Sequence, residues 1–166
     1  VFRQVLALKN SQSHAEAQFR IAEALEAAAV SAATLAAGKG PVPLVPPGME
    51  AAIMQYKLCA DRYPDSKFAG DALAKLVDHY IKTKDFVQAD DLLAQTFEEH
   101  PDAAFLDGML LKWTLVAYQM GNFQKAHDKC SQLLFEYPNS PHVETAKRIM
   151  PRIEERLGRT STTPTE

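Results

Sequence analysis

Tyr63-Pro64-Asp65-Ser66 comes back as Tyr137-Pro138-Asn139-Ser140, and His100-Pro101 stands midway between the two. Pro64, Pro101 and Pro138 are therefore spaced by 37 residues each time. A fixed period in the range of about 20–50 residues is the signature of repeat architectures, in which one unit cannot bury its apolar face alone and must stack on its neighbours. Aligned on the prolines, Ala52, Ala89 and Ala126 fall twelve residues before each, and Met49, Phe86 and Phe123 fall fifteen before. One template is written three times, and it specifies an all-α fold, an α-solenoid of three to four stacked antiparallel helix pairs.

Working outward from each proline, Phe86, Ala89, Leu92, Leu93, Thr96 and Phe97 recur at helical spacing, and Phe123, Ala126, Cys130, Leu133 and Leu134 match them. These are second helices of two pairs. The first helices run through Ala69, Ala72, Leu73, Leu76, Val77 and Tyr80, and through Leu106, Leu110, Trp113, Ala117 and Tyr118. Alanines serve where helices approach closely and aromatics fill the space between them. Lys84-Asp85 and Gly121-Asn122 punctuate the pairs, and Asp85 with Gln88 has the form of a capping box. Ser13 with Glu16 has the same form and predicts a helix start there. Ser140-Pro141 predicts an N-cap and first-turn proline for a last helix reaching Leu157, which Pro151 should kink or divide.

Between Leu25 and Met49 the template is interrupted. Ala27 to Ala37 predict a helical extension, and residues 38–48, rich in glycine and proline, predict an extended excursion between two helices that are otherwise joined closely. It reads as an inserted surface loop, or as a docking segment presenting Val42, Leu44 and Val45. The repeat domain spans 1–157. Residues 158–166 are polar and without periodicity, which predicts a disordered tail or linker. The opening Phe2-Arg3-Gln4-Val5-Leu6 reads as the end of an amphipathic helix, so the chain is expected to be part of a longer protein.

Eighteen basic and twenty-one acidic side chains leave a net charge of −3. That balance predicts no nucleic-acid partner and no anionic membrane surface. No apolar run approaches the roughly 18 residues that a membrane span needs, so no direct membrane insertion is expected. Cys59 and Cys130, read as two repeats apart at packing positions, are expected to be buried thiols and not a disulfide, because stacked helix pairs a repeat apart exceed the roughly 7 Å Cα limit for a bridge. His127 and Cys130 sit one turn apart, but no second pair joins them, so no metal site is expected. With no phosphate-cradling glycine loop and no nucleophile elbow, neither an enzyme nor a cofactor is expected.

Tyr80 or Ala117 in the first helix, the turn at Lys84 or Gly121, Phe86 or Phe123, Ala89 or Ala126, and Pro101 or Pro138 together resemble the tetratricopeptide repeat, over residues 10–157. The usual unit has about 34 residues, so each unit here is three longer. Leu76-Val77 and Trp113-Thr114 stand where that family places a leucine and a glycine. The Tyr-Pro-Asp-Ser and Tyr-Pro-Asn-Ser turns are similar to those of bacterial cell-envelope tetratricopeptide proteins, such as outer-membrane assembly lipoproteins and TolA-binding periplasmic factors, which implies a periplasmic or envelope setting.

The resemblance implies a right-handed superhelix whose first helices line a concave face. Its template then places Asp71, Ala74, Lys75, Asp78, Ile81 and Lys82 there, and one repeat later Gly108, Leu111, Lys112, Leu115, Tyr118 and Gln119. A clamp for a terminal carboxylate is disfavoured, because Ala74, Asp78, Leu111 and Leu115 occupy positions where donors would be needed. The expected partner-binding surface is the stripe Leu111, Leu115 and Tyr118, with Lys75, Asp78 and Lys112 as its polar rim; the alternative is that the stripe packs on the chain's own helices. The function expected is a non-catalytic scaffold that binds another protein or a peptide segment. Its rivals are a structural spacer or self-association segment, and a regulatory appendage of a larger multidomain protein.

Overall fold

A computed structural model describes residues 2–158, with side chains from residue 12 onward. Seven helices and no strand are found among the described residues: α1 (Phe2–Ala37), α2 (Met49–Arg62), α3 (Lys67–Thr83), α4 (Phe86–Glu99), α5 (Leu106–Gln119), α6 (Phe123–Glu136) and α7 (Val143–Arg156). They fall into two compact units divided between Asp85 and Phe86. In the first, α1 packs on α2 and α2 on α3, with a smaller contact between α1 and α3. In the second, α4, α5, α6 and α7 pack each on the next. Consecutive packing of this kind is the arrangement of an α-solenoid.

The period of the sequence is repeated in the backbone. Helices α2, α4 and α6 begin at Met49, Phe86 and Phe123, and each is 14 residues long. Ala52, Ala89 and Ala126 are the fourth residues of these helices, and all three are 0% exposed. Each helix ends with the same bonds: the amides of Tyr63, His100 and Tyr137 donate to the carbonyls of Cys59, Thr96 and Leu133, four residues back. The turn that follows is closed by the amides of Ser66, Ala103 and Ser140 donating to the carbonyls of Tyr63, His100 and Tyr137. At the other end of the repeat, Lys84, Gly121 and Gly158 have φ of 60°, 76° and 69°. Their amides donate to the carbonyls of Ile81, Tyr118 and Glu155. A left-handed residue after a helix lets its last carbonyls find donors, and glycine adopts that conformation without a Cβ clash.

In the first unit Phe19 of α1 sits 5.5 Å from the Tyr56 ring and 5.6 Å from that of Phe68, and Ala15, Ala22, Ala69 and Ala72 are fully buried in the same unit. The core of the second unit joins Leu110, Ala117, Ala126, Cys130, Leu133, Ala146 and Ile153. Both cysteines are free and buried. They do not occupy equivalent positions: Cys130 is in register with Tyr56 and Leu93, whereas Cys59 is in register with Thr96 and Leu133. Burial, with Asp71 near one and Glu154 near the other, pushes each thiol up to about 11. Such thiols stay protonated and behave as small apolar groups.

Several local expectations are corrected. No helix begins at Ser13, because α1 runs unbroken from Phe2 to Ala37; residues 2–37 contain neither glycine nor proline, so nothing there stops a helix. The N-cap of α7 is His142 and not Ser140. The Ser140 hydroxyl accepts from the His142 amide at 3.0 Å and donates to Asp107 Oδ2 at 2.6 Å, which ties the turn to the start of α5. Pro151 does not divide α7. Pro151 and Lys147, whose carbonyl would otherwise accept from position 151, are both exposed residues, and solvent-side carbonyls can turn to water. In the inserted loop Val42 and Leu44 are exposed, but Val45 is half-buried and Pro46 buried, so the loop is seated on the unit. The polar tail expected from Gly158 lies, apart from Gly158 itself, outside the described residues.

Candidate functional site

Helix α5 has two working sides. On one, the Trp113 indole Nε1 donates to Asp90 Oδ1 of α4 at 2.7 Å, and Lys125 of α6 reaches the same carboxylate at 2.6 Å. The Lys129 ammonium lies 3.8 Å over the Trp113 ring, and burial together with the Lys125 charge lowers its proton affinity. Every polar group in that cluster has a partner, so this side is occupied by packing.

The other side carries the predicted stripe. Leu115 is 42% exposed. Tyr118 is half-buried, its ring edge-on to Phe123 at 5.3 Å. Both line a pocket of about 200 Å³ whose walls are α5 and α7: Thr114, Leu115, Tyr118 and Gln119 from one, Ile149, Arg152 and Ile153 from the other. Thr114 donates its hydroxyl to the Leu110 carbonyl at 2.8 Å, so its polar group is satisfied within the helix. Leu111 is half-buried against the core cluster and is not among the lining residues. Lys112 is likewise half-buried and lines no part of this pocket.

Lys75 and Asp78 belong to the first unit, around a pocket of about 290 Å³ roofed by the inserted loop. There Lys75 Nζ is 2.8 Å from Glu26 Oε2, and the Tyr56 hydroxyl donates to the same oxygen at 2.7 Å. Burial pulls the Glu26 carboxyl upward, but the bonds from Lys75 and Tyr56 and the charges of Lys75 and Lys82 outweigh it and hold it below the usual carboxylate range. Burial, then the bond to Glu26, raises the Tyr56 phenol, so it stays a donor. Burial and the neighbouring Lys82 lower His79, against a smaller opposing effect of Glu50.

Ile149, Arg152 and Ile153 were not among the expected groove residues. The signal was present for two of them: one further period from Gly108–Gln119 lands on residues 145–156, where the same template positions are Thr145, Arg148, Ile149, Arg152, Glu155 and Arg156; Ile153 stands at the position of Val116, which the template gives to packing. Reading that last helix only as a cap hides them. Among the described residues no three His, Cys, Asp or Glu side chains gather as a metal ion would need, and no helix is long and apolar enough to cross a membrane. His127 Nδ1 lies 3.7 Å from Asp128, while Cys130 Sγ contacts the Ala146 carbonyl at 3.5 Å. No protein-family model matches the chain, and no curated protein does.

Proposed function

We propose that this chain is a non-catalytic scaffold of tetratricopeptide type, which holds a segment of another protein against the α5–α7 groove of its second unit. The observation that carries the reading is the pocket formed by Leu115, Tyr118, Ile149 and Ile153: an apolar floor with a single charged side chain, Arg152, at its edge. Protein interfaces concentrate their energy in a few aromatic and aliphatic anchors ringed by polar groups, and this groove has that composition. The Tyr-Pro turns at 63–66 and 137–140 support the narrower likeness to bacterial envelope scaffolds of the same type.

A photo-crosslinking residue placed at Leu115 should capture the native partner from cells of the source organism. The same residue at Phe135 should not, since that side chain is 87% exposed on α6 and lines no part of the groove. Leu115→Asp should abolish co-purification of the captured protein while the melting temperature moves by only a few degrees. Equal or stronger capture from position 135, or unfolding by Leu115→Asp, would place the binding surface elsewhere.

A further inference from the structure

Helix α7 carries arginines at 148, 152 and 156, all exposed, and among the described residues none of them makes a hydrogen bond or an ion pair. At about 100° per residue the three fall within an arc of about 80°, and successive ones are about 6 Å apart along the axis. Ile149 stands beside that arc on the side facing the pocket, where Arg152 also lies. The acidic residues of α7 are displaced from it. Glu144 and Glu155 fall past Arg148 on the side away from the pocket, and Glu154 falls on the flank opposite the groove. The groove is thus an apolar slot with Arg152 at its edge, and the same helix carries Arg148 and Arg156 one turn to either side on its exposed surface.

Resting on the reading of this groove as a partner site, we infer that its occupant is an acidic amphipathic helix. Its apolar residues would enter the slot at Leu115, Tyr118 and Ile149, and carboxylates one turn apart along one flank would meet Arg148, Arg152 and Arg156. Charge complementarity selects the class: three cations repeating at the pitch of a helix match carboxylates repeating at that same pitch, and arginine forms paired bonds to carboxylate where lysine offers a point charge. A helix laid in an apolar groove presents anchors at i, i+4 and i+7, the spacing of Leu111, Leu115 and Tyr118 themselves. The chain's own residues 159–166 do not fit the description, having no large apolar residue and a single acid, Glu166.

The probe is a fluorescein-labelled peptide of about 15 residues, long enough for a helix to form on binding. It carries leucine at i, i+4 and i+7 and glutamate along one flank; its twin has lysine at every glutamate. Anisotropy titrations against the whole chain should show saturable binding of the acidic peptide, weakened by added salt, and none of the twin. The double variant Arg148→Gln/Arg152→Gln should weaken the acidic peptide by roughly tenfold or more at an unchanged melting temperature. Leu115→Asp, and the milder Leu115→Gln, should remove binding. Equal binding of the twin, or indifference to the arginine variant, overturns the acidic preference; continued sensitivity to Leu115 in that case leaves the groove itself standing. Binding that ignores both Leu115 variants but follows the arginines overturns the groove as well as its occupant. If neither peptide binds, the acidic-helix assignment is wrong, and the groove is judged by crosslinking of the native partner.

Discussion

Glu26 shows how one buried-edge carboxylate organises its surroundings. It accepts from both Lys75 and Tyr56, and these bonds join α1, α2 and α3 at a single oxygen. Because its folded proton affinity is depressed, the stability it contributes is present above the ordinary carboxylate value of about 4.3 and is lost as pH falls through the lower folded value. Lys75 is 38% exposed, so solvent screens the pair and its contribution is about 1 kcal/mol. Glu26→Gln should therefore destabilise the protein by about that amount at neutral pH. Urea titrations at a series of pH values should show the gap from the parent closing below about pH 4. A gap that stays constant down to pH 3 would mean that the charge of Glu26 contributes nothing.

At the scale of the element, what ends each first helix is a residue in the left-handed region. Among the described residues three of the four such positions, 38, 121 and 158, are glycine, while Lys84 accepts the conformation at a cost of about 1 kcal/mol. Gly121→Ala should lower stability by about 1 kcal/mol, whereas Lys84→Gly should leave it unchanged or raise it by up to about 1 kcal/mol, read as opposite shifts in melting temperature. These turns were legible in the sequence because glycine, asparagine and proline act on the backbone directly. The boundaries that were misread are those where a local pattern competes with wider context. Ser13 and Glu16 have the side chains of a capping box, yet they stand inside a run with no helix breaker, so the helix passes through them. Ser140 has the hydroxyl of an N-cap but is held by Asp107, a residue of the preceding first helix that no local pattern reveals.

Across the molecule the 37-residue period accounts for helix lengths, buried alanines and turn hydrogen bonds together. It was readable because three proline turns are spaced without insertion. The inserted loop was readable as a loop from its glycines and prolines, but its own residues do not say what it lies on, and so its seating over Tyr56 and Lys75 was not. Half of the candidate groove, Leu115 and Tyr118, followed from the template; on α7, Ile149 and Arg152 follow from the same template only when it is carried one period further, and Ile153, at a packing position, does not follow from it. Everything in this account depends on the repeat being one structural unit used three times. The most direct test is to place leucine at each of the equivalent alanines, 52, 89 and 126, and measure urea unfolding of the three single variants. Each alanine is 0% exposed at the fourth position of its helix, so overpacking should cost roughly 1–3 kcal/mol at every one of them. A leucine accepted without loss at any of the three would show that the position is not a close helix contact and that the repeat is not one template.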